Sequence, residues 1–215
     1  MLVAACEAAN PEAAAYPVRL SHQQSILPTD YVEAKIHNMT IAARGLENLP
    51  VPPQGILSFW HVVGRPSRSR GFLPGRSLLG GQLRPDYGGG LCQLSGLLYY
   101  VSLVAGLGIL ERHAHSRDIY DDPTRYAPLG ADATVAYGFK DLRVLNTTPA
   151  PICFRFFVSQ DVVRCDLCSP GPIESTTIEF ATRTLSNGAT QVETRRHRAG
   201  EANYQVLSKS FYRRL

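Results

Sequence analysis

The sequence predicts an α+β fold: a mostly antiparallel β-sheet wrapped around one buried central helix, with a further helix near the N-terminus. Three observations predict it. The chain of 215 residues holds 18 Gly and 15 Pro, so it turns often and helix is the minority element. The segment 92–107 is apolar on nearly every face, as expected of a helix enclosed by other elements. From residue 109 onward, short runs of strand-forming residues alternate with turn residues, and Ser186-Asn187-Gly188 is a strong hairpin signal.

The elements follow in order. Residues 1–15 are Ala-rich and patternless and are expected to be disordered or frayed, leaving 16–215 as a single domain with a motif core at 30–170 and a C-terminal β-hairpin extension at 171–215. Val32, Ala34, Ile36, Met39, Ala42 and Ala43 form a helical stripe behind a cap at Thr29 or Asp30, which predicts a helix over 31–44. Leu49-Pro50-Val51-Pro52-Pro53 ends it, and a short strand is expected at 55–60. A basic Gly/Ser/Pro/Arg loop over 64–76 is a candidate lid or binding edge. Three glycines then open the central helix, and strands are expected near 109–116, 132–138, 141–147, 151–159, 161–168, 175–185, 189–197 and 203–213.

Composition narrows the function classes. Hydrophobic residues make up 44% of the chain and charged residues 19%, which excludes wholesale disorder. A net charge of +4, concentrated only toward the C-terminus, is too small and too scattered for a nucleic-acid binder. The apolar run Leu97–Leu110 is broken by Ser102, Gly106 and Gly108 and is too short to span a bilayer, so no transmembrane segment is expected. Val3-Ala4-Ala5-Cys6 looks locally like a lipoprotein cleavage box but lacks a basic and apolar lead, so the chain as written reads as cytoplasmic, with cell-envelope association as the alternative. Five cysteines at irregular spacing make no disulfide framework. In Cys165-Asp166-Leu167-Cys168 the odd separation along a strand sends the sulfurs to opposite faces, so the pair suits neither a disulfide nor a shared ion.

Chemistry points to Cys92. Gly88, Gly89 and Gly90 allow close backbone approach, and a helix starting there aims its unpaired N–H groups and positive dipole end at the thiol. Such a placement favours a thiolate and supplies N–H groups near Cys92 and Gln93 for an oxyanion. Period-two geometry along Glu111-Arg112-His113-Ala114-His115 puts Glu111, His113 and His115 on one strand face, where either histidine can serve the thiol or both can share a metal. Asp132, with Asp141 as second choice, is available to orient the imidazole.

The ordered combination Gly88-Gly89-Gly90-Leu91-Cys92-Gln93, Glu111-Arg112-His113-Ala114-His115-Ser116, Asp132-Ala133-Thr134-Val135 and Asp141-Leu142 resembles the VanW family. That family is named for an accessory protein of B-type vancomycin-resistance clusters, and the resemblance implies cell-wall peptide chemistry without naming a reaction. The segment Pro52-Pro53-Gln54-Gly55 departs from the family's usual Pro-Gly-Glu turn, so no role is carried over to an acidic residue there.

Three functions fit these residues. The first is cysteine-dependent acyl transfer or amide hydrolysis on a peptidoglycan-type peptide, with Cys92 as nucleophile, His113 or His115 as base and Asp132 as orienting group, and no cofactor. The second is a zinc site built from Cys92, His113 and His115. The third is a non-catalytic module that binds a cell-wall peptide or precursor. Gly88, Gly89, Gly90, Gln93, Arg112 and Glu111 are the candidate substrate-binding positions.

Overall fold

Alternation of apolar side chains with turns folds the chain into small sheets arranged around a buried helix. The computed structural model describes residues 15–79, 82–118, 126–198, 200 and 203–214. All but the last residue of the expected frayed N-terminus lie outside the described residues.

The first strand, β1 (Val18–Ser25), is followed by helix α1 (Val32–Leu46). Helix α1 buries Met39, Ala42, Ala43 and Leu46, and it stops where Asn48 takes a left-handed φ of 55° ahead of Pro50. A short strand β2 (Ile56–Ser58) runs directly into the five-residue helix α2 (Phe59–Val63), whose first turn is capped by the Ser58 hydroxyl accepting from the His61 N–H. The expected polar loop is instead a 3-10 turn at 68–70 leading into the hairpin β3 (Pro74–Leu79) and β4 (Gln82–Tyr87).

Helix α3 (Leu91–Val104) is the centre of the molecule. Leu94, Leu97, Leu98, Tyr99, Val101 and Leu103 are all buried, and the helix packs against α1, β1 and further strands. Its C-terminal end is held from afar, because the buried Arg196 guanidinium donates to the carbonyl of Leu103 in the last turn (3.3 Å) and to that of Leu107 just beyond the helix (3.0 Å).

The remaining strands are β5 (Gly108–Glu111), β6 (Arg117–Asp118), β7 (Arg143–Leu145), β8 (Cys153–Val158), β9 (Val162–Cys168), β10 (Thr177–Thr184), β11 (Thr190–His197) and β12 (Tyr204–Arg214). Four sheets result, ordered β1-β9-β8, β10-β11-β12-β6, β2-β7-β5 and β3-β4. Every ladder between these strands is antiparallel except β12 with β6. The C-terminal extension is thus a three-stranded meander rather than a single hairpin, and its last strand returns to the motif core through β6.

Several expected strands are shorter or absent: 55–60 shrinks to Ile56–Ser58 and 141–147 to Arg143–Leu145. The strand expected over 109–116 ends at Glu111, and 132–138 forms no ladder. Residues 131–135 instead run along α3. There the small residues Ser95 and Gly96 admit them: the Ser95 hydroxyl donates to the Ala133 carbonyl at 2.7 Å, and a Cβ on Gly96 would sit 3.5–3.6 Å from the backbone of Ala131, Asp132 and Ala133. Cys165 and Cys168 are both buried and form no disulfide, and Cys168 faces Cys153 across the β8–β9 ladder. Among the described residues, no helix is long and apolar enough to cross a membrane.

Candidate active site

The site begins with a glycine turn. Gly88 and Gly90 take φ values of 93° and 98°, which side-chain-bearing residues rarely adopt, and the turn delivers the chain into the first residues of α3. The buried Asn38 of α1 holds the turn in place, donating to the carbonyls of Gly89 (3.1 Å) and Leu73 (2.9 Å) and accepting from the Leu73 N–H. The turn uses some of the helix's free donors itself. The Leu91 N–H reaches the Gly88 carbonyl and the Gln93 N–H the Gly90 carbonyl, while the Cys92 N–H has no partner among the described residues. Of the two expected oxyanion donors, Cys92 therefore keeps its N–H open and Gln93 does not.

Beside Cys92 lies His115. After β5 ends, the chain turns away from the ladder, and the His113 carbonyl accepts from the Thr134 N–H at 2.7 Å, joining this segment to 131–135. Asp132 then grips His115 at two points, its Oδ2 accepting from Nδ1 and from the backbone N–H, both at 2.7 Å. With Nδ1 engaged, Nε2 is the nitrogen left for the thiol. The other carboxylate oxygen of Asp132 accepts from the Tyr212 hydroxyl (2.6 Å) and the Arg112 guanidinium (3.0 Å). The Cys92 S–H has a second neighbour in the Val135 carbonyl, 3.7 Å away.

The electrostatics follow from these contacts. Burial pushes the Cys92 thiol up, but hydrogen bonding to His115 and the imidazole's charge outweigh it, so its pKa falls below the ordinary value. Burial pulls His115 down, yet Asp132 and Cys92 together raise it to about 10. Asp132 is well below the usual carboxylate range: burial opposes this, and hydrogen bonding to His115 and the charge of Arg112 prevail. These shifts run in the direction of a thiolate beside an imidazolium, with a fixed carboxylate behind the ring.

The other expected site residues are placed elsewhere. His113 turns to Glu111, its Nε2 lying 3.0 Å from Oε1, and that oxygen also accepts from the Asp141 N–H. Asp141 is bound to the Ser58 hydroxyl and the Trp60 N–H, so it fixes the start of α2 and is not the orienting group for His115. Arg112, with a side chain only 5% exposed, points inward and donates to Asp132, Gly130 and Ser210 while its guanidinium lies 5.0 Å from the centre of the Tyr99 ring. The Gln93 side chain is also buried, donating to the Ser25 carbonyl. Among the described residues, no three His, Cys, Asp or Glu side chains are placed to hold a metal ion.

Tyr212, from the last strand, is the site residue that the sequence did not reveal. A cleft of about 510 Å³ lies between this strand and residues 112–116, and both His113 and His115 line it. Cys92 is half-buried and is not part of the lining.

The family described as "VanW like protein" matches residues 34–168. The chain is 35% identical over 123 residues to the uncharacterized protein YoaR of Bacillus subtilis, an alignment covering 57% of this chain and 39% of that one. It is also 35% identical over 118 residues to the vancomycin B-type resistance protein VanW of Enterococcus faecalis, covering 55% of this chain and 43% of that protein. The matches therefore span about two-fifths of each relative's length. No solved structure matches the chain. The matched segment contains the glycine turn, Cys92, His115 and Asp132, and by it the chain belongs to the VanW-like family.

Proposed function

We propose that Cys92, His115 and Asp132 carry out cysteine-dependent acyl transfer or amide hydrolysis on a peptidoglycan-type peptide. The observation that carries this reading is the double grip of Asp132 on His115, which holds the imidazole against a thiol at the start of a helix. The thiolate attacks an amide carbonyl carbon, forming a C–S bond, and the oxyanion that develops meets the open Cys92 N–H. His115 gives its proton to the departing amine as the C–N bond breaks. Water or a second amine then attacks the thioester, His115 takes the proton, and the thiolate is restored. The choice of peptide rests on the resemblance to the VanW family and on the vancomycin B-type resistance protein among the relatives.

A second reading, a non-catalytic peptide-binding module, is favoured by the absence of Cys92 from the residues that line the cleft. Alkylation of Cys92 by iodoacetamide, followed against pH by peptide mapping, separates the two. Acyl transfer predicts a midpoint below the free-thiol value of about 8.5 that returns toward it in His115→Ala, is kept in His113→Ala and is unaffected by chelator. An ordinary midpoint, or a thiol inert throughout, overturns it. Protection relieved by chelator instead supports the zinc site.

A further inference from the structure

We infer that Arg117 and Arg213 form an anion subsite that seats a carboxylate of the peptide processed at Cys92; this rests on the reading above and extends it to substrate class. Strand β6 consists of two residues and pairs in parallel with β12, which sets Arg213 directly opposite Arg117. The pairing is fixed by the backbone, as the Arg213 N–H donates to the Ser116 carbonyl at 3.2 Å. Like charges directly opposed on neighbouring strands are unfavourable. Nevertheless, both arginines are exposed and neither has an acidic partner among the described residues. Fold stability gains nothing from such a pair, whereas an incoming oxyanion would relieve the repulsion and accept planar, two-pronged hydrogen bonds from each side.

The surroundings fit that ligand. The two arginines line a second cleft of about 580 Å³ together with Asn187, Ser116 and Phe211, and no acidic side chain lines it among the described residues. Ser116 and Phe211 also line the cleft that reaches His115, so the two spaces adjoin. Arg117 follows His115 by two residues, a span of at most about 7 Å along the backbone. An extended peptide advances about 3.3 Å per residue, which puts the bound carboxylate within a few residues of the carbonyl under attack.

The test uses the full chain with Cys92→Ala, so that nothing is turned over, and a tetrapeptide carrying one glutamate or one glutamine, its C-terminus amidated and its N-terminus bearing an uncharged BODIPY label. Fluorescence anisotropy should show the glutamate peptide binding about tenfold more tightly. In Arg117→Gln/Arg213→Gln the preference should fall below about twofold. Because that double variant removes a repulsion, it should fold, and with Cys92 restored its alkylation profile should match the parent. A preference that survives in the double variant, or is missing in the parent, overturns the subsite. An ordinary alkylation midpoint in the parent overturns the acyl-transfer reading alone, so the two failures are distinguishable.

Discussion

The Asp132 carboxylate binds His115 through both the ring and the backbone, with Nδ1 and the main-chain N–H each 2.7 Å from Oδ2. One contact sets the tautomer and charge of the imidazole and the other sets its position, so ring rotation and backbone displacement are restrained together. Asp132→Asn keeps much of the shape and removes the charge that favours imidazolium. The Cys92 alkylation midpoint should rise toward about 8.5, and turnover should fall by about 10²–10⁴-fold. An unchanged midpoint would mean that the thiol does not depend on this carboxylate.

The pair also fixes how stability depends on pH. His115 is raised from 6.5 to about 10, so its contribution is complete below 6.5 and is lost as pH rises through 10. Cys92 is lowered from 9.0, so its contribution is complete above 9.0 and is lost as pH falls through the lowered value. Between the lowered Cys92 value and 9.0 the two trends oppose each other, since a thiolate–imidazolium pair and a thiol–imidazole pair hold the same number of protons. The urea-unfolding difference between the parent and Cys92→Ala should therefore be largest in that window and shrink on both sides. A difference independent of pH would rule out the charged pair.

Much of this architecture is written in local pattern, and its failures have physical causes. Helix α3 was legible because a sequence apolar on every side suits only an enclosed helix, and β8 to β12 because alternation and turns agree there. Strand β1 was not: Val18–Ser25 is largely polar and exposed, as an edge strand of its sheet can be. The β3–β4 hairpin was hidden by Pro74 and Pro85, which read as loop. At the site, Cys92 and Asp132 stood out through their neighbours, but strict alternation made His113 and His115 equivalent. They diverge because the strand stops at Glu111, a tertiary event in which Thr134 and Asp132 draw the chain away.

Tyr212 lies 80 residues from Asp132 in sequence, and no local pattern marks it; its hydroxyl donates to Oδ1 at 2.6 Å. Tyr212→Phe removes a buried hydrogen bond to a charged group and should cost about 1.5–3 kcal/mol in urea unfolding. Arg112 still holds the same oxygen, so the alkylation midpoint of Cys92 should move less than in Asp132→Asn. If Tyr212→Phe is as stable as the parent, the last strand is not tied to the site through this bond.

Gly90 carries the strictest steric demand at the glycine turn. Its φ of 98° is left-handed, and a Cβ there would lie 2.7 Å from Lys35 Cγ and 3.1 Å from the Lys35 carbonyl oxygen. The lysine stem can swing aside, but the carbonyl belongs to α1 and cannot move without the helix. Gly188, at the tip of the β10–β11 hairpin, provides the control: its φ is 76°, yet no described atom lies within 4 Å of the position a Cβ would take. Gly188→Ala should carry only backbone strain, about 1 kcal/mol. Gly90→Ala adds a collision to that strain and should cost about 2–4 kcal/mol. Because relief requires the turn to shift, the Cys92 N–H and thiol shift with it, so Gly90→Ala should also slow alkylation at pH 7 while Gly188→Ala leaves it unchanged. Equal losses of stability in the two variants, with equal alkylation rates, would show that the turn does not position Cys92.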